Sequence, residues 1–250
     1  MKHLFFLFLF LLPVIVGHAQ QPQDSVTIRR RVTDYNDQPI DNCLIKWQSA
    51  TFNGIREAAT DKDGHYTIRI SKGKYQSVAA INMATYPHTA KVELPEADQR
   101  LEFWAWDFIA DRDTTLNIRY HRMEAYGMRV FRIPGGMPAY QLHVRPMSLT
   151  RFLQQQKETK EKALLLAPPA DKLKATVWID GEEVPILMKQ EIKEYFSANA
   201  YGNAYLLTVD MPKHPNSGLP YLVFKVELED AENGDRGEGL YYMEKEDYVQ

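Results

Sequence analysis

Cysteine is all but missing. Cys43 is the single one in 250 residues, and one thiol cannot close an internal bridge, so stability must come from burial rather than cross-links. Cys43, Ile45 and Trp47 alternate as one face of a strand, where a thiol packs as a small apolar group. Without paired cysteines there is no cysteine-based zinc spacing. His65, His88, His121, His143 and His214 form neither His-x-His nor His-Glu-x-x-His. Nucleophilic signatures are also lacking: no Gly-x-Ser-x-Gly elbow, no Cys-His pattern around Cys43, no Ser-x-x-Lys at a helix start. No cofactor or metal is expected, and the chain does not read as an enzyme. A net charge of −3 offers no basic footprint for nucleic acid. Internal repeats and long low-complexity tracts are absent.

The one long apolar run is N-terminal. Met1-Lys2-His3 precedes Leu4 to Val16, interrupted only by Pro13, and Gly17 and Ala19 occupy the small-residue positions of a cleavage site. The pattern predicts a signal peptide over 1–19, cut after Ala19. The run is short for a bilayer span, so no stable membrane span is expected after cleavage. With no cysteine near the cut, acyl anchoring is not supported. The expected location is periplasmic or extracellular.

Gln20 to Asp24 is a polar lead-in, after which the chain reads as strands. Val26, Ile28 and Val32 alternate with polar residues, and the strand includes Arg29-Arg30-Arg31, which reads as a charged, protected edge. Strands are expected over Ile40 to Gln48, near Ile55 to Ala59, and over Tyr75 to Ile81. Between the last two, Thr60-Asp61-Lys62-Asp63-Gly64 predicts a hairpin turn leading into Tyr66, Ile68 and Ile70 on one face.

Arg31-Val32-Thr33-Asp34, Gln38 to Cys43, Thr60 to Tyr66 and Gly73-Lys74-Tyr75 together resemble the carboxypeptidase regulatory-like domain, a small transthyretin-like β-sandwich. The resemblance covers roughly residues 25–95 and departs at Arg30, where the family often has glycine. It implies a module without an active site, appended to exported or envelope proteins.

Leu94-Pro95-Glu96-Ala97-Asp98 is a polar junction. The expected organisation is a sandwich over 25–97 and a second β-rich domain over 101–250 with one or two helices. Leu101 to Phe108 is apolar on both faces, as a strand between two layers requires; it either opens the second domain or completes the first. Strands follow at Leu116 to Tyr120, Met128 to Val130 and Tyr140 to Val144. Ser148 caps a helix carrying Leu149, Phe152 and Leu153. Asp180-Gly181 predicts a hairpin turn, Met188 to Phe196 a short helix, and Tyr205 to Met211, Tyr221 to Glu229 and Leu240 to Met243 the closing strands. The segments 101–106, 123–128 and 144–149 resemble secreted bacterial proteins of unknown function, which supply no activity.

Three groups of residues invite a chemical reading. Asp61 and Asp63 suggest calcium, but Ala59 and Ile70 fall where a calcium loop needs carboxylates, and the turn reading is preferred. Glu229, Asp230, Glu232, Asp235 and Glu238 around Gly234 and Gly237 offer hard oxygen ligands, weighed against a solvated hairpin loop. Glu102, Asp107, His121 and Glu124 could supply acid and base, although any β-rich chain offers such pairs by chance. Aromatic residues crowd from Trp104 to Tyr140. Trp104, Trp106 and Tyr126 are the candidate ligand-binding residues, since rigid rings stack on sugars or dock on peptides, with core packing as the competing account. The expected function is non-catalytic binding or assembly at the bacterial cell envelope, with a glycan or an envelope protein as partner. The alternatives are a carbohydrate-binding protein using the Trp104–Trp106 region, or an enzyme or accessory subunit with a pocket in 101–250.

Overall fold

The computed structural model describes residues 24–87, 89, 93–158, 163–197, 200–216 and 218–246. The expected signal peptide over 1–19, its cut after Ala19, most of the polar lead-in and His88 lie outside the described residues. The chain is mostly β, as its alternating patterns require. In order the elements are β1 (Ser25–Thr33), β2 (Leu44–Gln48), β3 (Gly54–Ala59), β4 (His65–Ser71), β5 (Gly73–Ile81), β6 (Phe103–Ala110), β7 (Thr114–Thr115) and β8 (Ile118–Arg119). Then come β9 (Met123–Phe131), β10 (Ala139–Ser148), α1 (Leu149–Glu158), β11 (Ala163–Leu164), β12 (Leu173–Ile179), β13 (Glu182–Val184), β14 (Ile186–Ser197), β15 (Ala200–Asp210), β16 (Tyr221–Asp230) and β17 (Arg236–Glu244).

The strands form three sheets. A middle sheet of eight runs β13-β12-β16-β17-β6-β5-β2-β3. β1 pairs with β4 on one side and with β7 and β8 on the other, making a smaller sheet. A third sheet joins β9 to β10, β10 to β15, and β15 to β14 and β11.

Side chains one residue apart on a strand point to opposite faces, and the middle sheet uses both faces as interior. Ile45, Val78, Ala80, Phe103, Ala105 and Tyr242 pack with Val26, Ile28, Tyr66, Ile70 and Ile118 of the small sheet. Their sequence neighbours Ala79, Trp104 and Trp106, together with Phe224, Val226 and Tyr241, pack with Met123, Met128, Leu142, Val144 and Leu207 of the third sheet. The molecule is therefore three layers with two cores, one on each side of a shared sheet. β6 is the seam: it pairs antiparallel with β5 and parallel with β17, so one sheet joins strands that precede residue 97 to strands that follow residue 101.

Several expectations change. Asp63-Gly64 does form a tight turn, with Gly64 at φ +77° and its N–H bonded to the Asp61 carbonyl at 2.9 Å. It is not a hairpin within one sheet, because β3 pairs with β2 in the middle sheet and β4 with β1 in the small one; the turn carries the chain between layers. β1 is not an edge strand. On the β7/β8 side it is paired at Ile28, Arg29, Val32 and Thr33 only; Ser25 to Thr27 and Arg30 and Arg31 have no strand neighbour there, and Arg30 is exposed in the gap between β7 and β8.

The expected helix over Met188 to Phe196 is instead β14, paired along its length with β15. Lysine, glutamate and glutamine favour helix locally, and tertiary pairing overrides that preference. The last strand opens at Arg236, not Leu240. The helix after Ser148 forms over Leu149–Glu158, with the Ser148 hydroxyl accepting the Arg151 N–H at 3.2 Å. Asp180 and Gly181, both at positive φ, make the expected hairpin turn between β12 and β13.

Candidate functional site

The site grows from how closely β9 lies on the middle sheet. Gly237 and Gly239 in β17 permit that approach, since a Cβ at Gly237 would overlap the Met123 carbonyl and one at Gly239 would crowd Ala125 and Met128. Further along β9, His143 of β10 pairs with Arg129 and Arg145 pairs with Tyr126, leaving Gly127 and Met128 opposite Val144 alone. That is a β-bulge, made possible by the positive φ (+63°) of Gly127. Inward packing consequently passes from Met123 and Ala125 to Met128 and Val130, and Glu124 and Tyr126 are left to face a cavity.

This cavity measures about 330 Å³ and is lined by Tyr86, Glu102, Glu124, Tyr126, Arg145 and Phe196, among others. A recess of about 190 Å³ shares Tyr86, Glu124, Met147 and Leu166 with it and adds the apolar Leu101, Leu149 and Phe152. Arg145 is held in place: its guanidinium binds Glu194 at 2.5–2.6 Å and lies over the rings of Tyr126 (5.5 Å) and Phe196 (4.8 Å). Glu194 also meets His143 Nε2 at 2.6 Å, while His143 Nδ1 lies 3.0 Å from the Gly127 carbonyl, so the bulge is pinned.

Trp104, Trp106 and Tyr126 come together. The two indoles stack at 5.1 Å with 15° between planes, and Tyr126 meets both edge-on at 5.3 and 5.4 Å. Their exposure differs from what a sugar platform needs. Trp104 and Trp106 are only 8% and 3% exposed and belong to the core, whereas Tyr126 is half-buried and lines the cavity. Of the four residues considered for acid and base, Glu102 and Glu124 meet at this cavity. Asp107 lies against Tyr241, and His121, its imidazole pushed down by burial and by Arg100, faces the Arg100 and Arg122 side.

Burial raises the Glu102 carboxyl to about 7, with the Trp104 indole N–H and Lys46 opposing. Glu124, 3% exposed, is driven well above the carboxylate range by burial and then by the charge of Glu102. Trp104 favours the ionised form of both carboxyls, yet its N–H closes no hydrogen bond of normal geometry. The Tyr86 and Tyr126 phenols are pushed up, first by burial. Such a carboxyl pair shares protons, and it presents both donor and acceptor oxygens to whatever enters.

The acidic loop before β17 behaves differently. Asp235 accepts from Arg122 Nε (3.1 Å), Ser148 Oγ (2.6 Å), and the N–H (2.8 Å) and Oγ1 (2.9 Å) of Thr150. Asp230 binds Arg151 at 2.6 Å, and Glu238 binds Arg119 at 3.0 Å. The hairpin loop between β16 and β17 is exposed at Ala231, Glu232 and Gly234, as expected of a solvated turn, but three carboxylates of the acidic stretch are not: Asp230, Asp235 and Glu238 are buried, each with an arginine at ion-pair distance. Among the described residues, no three His, Cys, Asp or Glu side chains gather to hold a metal. Asp61 accepts the N–H groups of Asp63 and His65 within its own turn, which holds its carboxyl below the usual range. Cys43 is buried and its thiol is pushed up to about 12 by burial.

Tyr86, Arg145, Phe196 and Asn203 were not anticipated. The usable signals were Gly127 inside a strand pattern and Pro146 next to Arg145, both marks of a locally irregular ladder. The segments 101–106, 123–128 and 144–149, noted in the sequence for another reason, converge on this cavity.

No protein-family model matches this chain, so the carboxypeptidase regulatory-like resemblance is not confirmed, and no curated protein matches it. Solved structures that align with it include a DUF3823 family protein from Bacteroides ovatus (10% identity, 87% of this chain and 98% of that one, TM-score 0.26). A candidate carbohydrate binding protein from Bacteroides uniformis aligns at 12% identity over 90% of this chain and all of that one, TM-score 0.28. The major pilin subunit BcpA of Bacillus cereus aligns at 13% over 88% and 69%, TM-score 0.25. At these scores the likeness assigns this chain to none of those groups. Among the described residues, no helix is long and apolar enough to cross a membrane.

Proposed function

We propose that this is an exported, non-catalytic binding protein of the bacterial cell envelope, whose leader is removed after Ala19 and whose ligand is a small saccharide or the end of a glycan chain. The observation that carries the reading is the cavity of about 330 Å³ that joins the Tyr126 ring to the Glu102 and Glu124 carboxyls. Small-molecule sites of this size pair apolar walls with a few placed polar groups. A sugar ring stacks on an aromatic face while its hydroxyls exchange hydrogen bonds with carboxyl oxygens. In this reading Tyr126 is the ring that meets the ligand, and Trp104 and Trp106 hold it from behind.

The test is a glycan array followed by calorimetry on the full protein. Tyr126→Ala is expected to weaken the best-binding sugar by roughly tenfold or more, the cost of one lost aromatic contact of about 1.4 kcal/mol; because the same change removes the edge contacts to Trp104 and Trp106 and lowers the thermal midpoint, affinity is compared at a temperature where melts show the variant fully folded. Absence of binding to any saccharide, or release of a cleaved product from one that binds, overturns the reading.

An assembly role is favoured by a separate observation. β14 is a twelve-residue strand paired only with β15 among the described residues, and it exposes Leu187, Met188, Tyr195 and Phe196. An open strand of that kind is a template for strand addition. Self-association or capture of an extended peptide that Ile192→Pro abolishes would support this second role.

A further inference from the structure

Four carboxylates in the described residues are buried: Glu124, Asp230, Asp235 and Glu238. Three have an arginine at ion-pair distance, and Glu124 has none. Its neighbour Glu102 also forms no ion pair among the described residues. Lys46 acts on Glu102 only at longer range and is paired with Glu57 at 3.6 Å. Arg145, the cation in the cavity wall, is committed to Glu194. Elsewhere, then, the molecule matches each buried negative charge with a positive one; at this cavity the match is missing.

We propose that the ligand supplies it: the site takes a sugar bearing a primary ammonium, a 2-amino-2-deoxyhexose or a chain end of that class, with the ammonium between Glu102 and Glu124 and the ring against Tyr126. This rests on the saccharide reading above. A buried carboxylate without a partner is costly, and the group responds by keeping a proton. An entering ammonium removes that cost and expels the proton. The groups facing the pair are the Tyr86 and Tyr126 phenols, the Trp104 N–H, Lys46 and the Arg145–Glu194 pair. Both phenols are held in the neutral form and Arg145 is balanced by Glu194, which His143 also contacts at 2.6 Å, so the carboxyl pair carries the proton exchange with the ligand, with Glu102 titrating near 7.

The sign of the pH dependence separates this from a neutral sugar. Ammonium binding favours the ionised pair, so affinity rises as pH rises toward the Glu102 value of about 7. A neutral sugar that accepts a hydrogen bond from a protonated carboxyl would bind more weakly over the same interval. Glucosamine, glucose and N-acetylglucosamine are titrated calorimetrically at about pH 5.5 and about pH 7, in two buffers of different ionisation enthalpy. Glucosamine is expected to bind roughly tenfold or more tighter than the other two at the higher pH, to gain roughly tenfold between the two pH values, and to release close to one proton. Glu124→Gln and Glu102→Gln, which keep the shape, are expected to erase the preference and the proton release while thermal melts confirm folding. Equal binding of glucose and glucosamine, or affinity that falls with pH, overturns the ammonium reading and leaves the saccharide reading standing. Binding by none of the three, or by any array sugar, overturns both.

Discussion

The acidic loop before β17 and the Glu102–Glu124 pair hold the same residue type at similar depth and come to opposite ends. In the loop, Asp235 fills its acceptor sites with one arginine, two hydroxyls and a backbone N–H, and the result is a clasp that ties α1 and β10 to the start of β17. At the cavity, Glu124 lies on the bulged strand itself with no cation at ion-pair distance among the described residues, and the result is a proton reservoir. Burial alone does not make a carboxylate structural or functional; its partners decide.

Removing the arginine from the clasp should turn one case into the other. Arg122→Met leaves Asp235 buried and without its cation, and unfolding in urea is expected to show a loss of about 3–5 kcal/mol. A loss below about 1 kcal/mol would mean that Ser148 and Thr150 suffice, and the contrast would fail.

Next in size is Gly237→Ala, whose Cβ would collide with the Met123 carbonyl. It should push β9 off the middle sheet at about 1–3 kcal/mol and disturb the cavity from behind. Wild-type stability together with intact sugar binding would show that the two strands are not held by that contact.

The unmatched pair should leave its mark on pH dependence. Because Glu102 is raised from 4.5 to about 7, the folded form keeps a proton that the unfolded chain loses, so the stability this carboxyl contributes is fully present below about pH 4.5 and is lost as pH rises through about 7. Thermal melts of the native protein across that window are expected to show the decline, and Glu102→Gln to flatten it. A flat native profile would remove the reservoir. Smallest is Gly127→Ala, where a side chain is asked to adopt φ +63°. It should cost about 1 kcal/mol, measured by denaturation, and reduce sugar binding more than that loss of stability implies.

Much of the architecture could be read along the chain because it follows from period-two alternation. The double apolar faces of Leu101 to Phe108 announced a strand between two layers, and Cys43-Ile45-Trp47 announced a buried face. β14 could not be read that way, since Met188 to Phe196 is made of helix-forming residues whose conformation is set by β15. Part of the site was legible: Trp104, Trp106, Tyr126, Glu102 and Glu124 all belong to one neighbourhood. Which ring is accessible was not, because exposure depends on how the third sheet lies over the middle one. The arginine partners of Asp230, Asp235 and Glu238 sit some 80 to 120 residues away in sequence, and a local reading of charge cannot pair them.

The seam at β6 has an implication for the chain's history and handling. A polypeptide ended near residue 100 would forfeit Phe103, Phe108, Ile118 and Tyr120, along with Leu240 and Tyr242, all of which fill the first core. Such a truncation is expected to be insoluble or molten rather than a tidy half. Recombination that swapped the front of this molecule onto another would have to carry a replacement for β6 and β17, so the two halves should be inherited together.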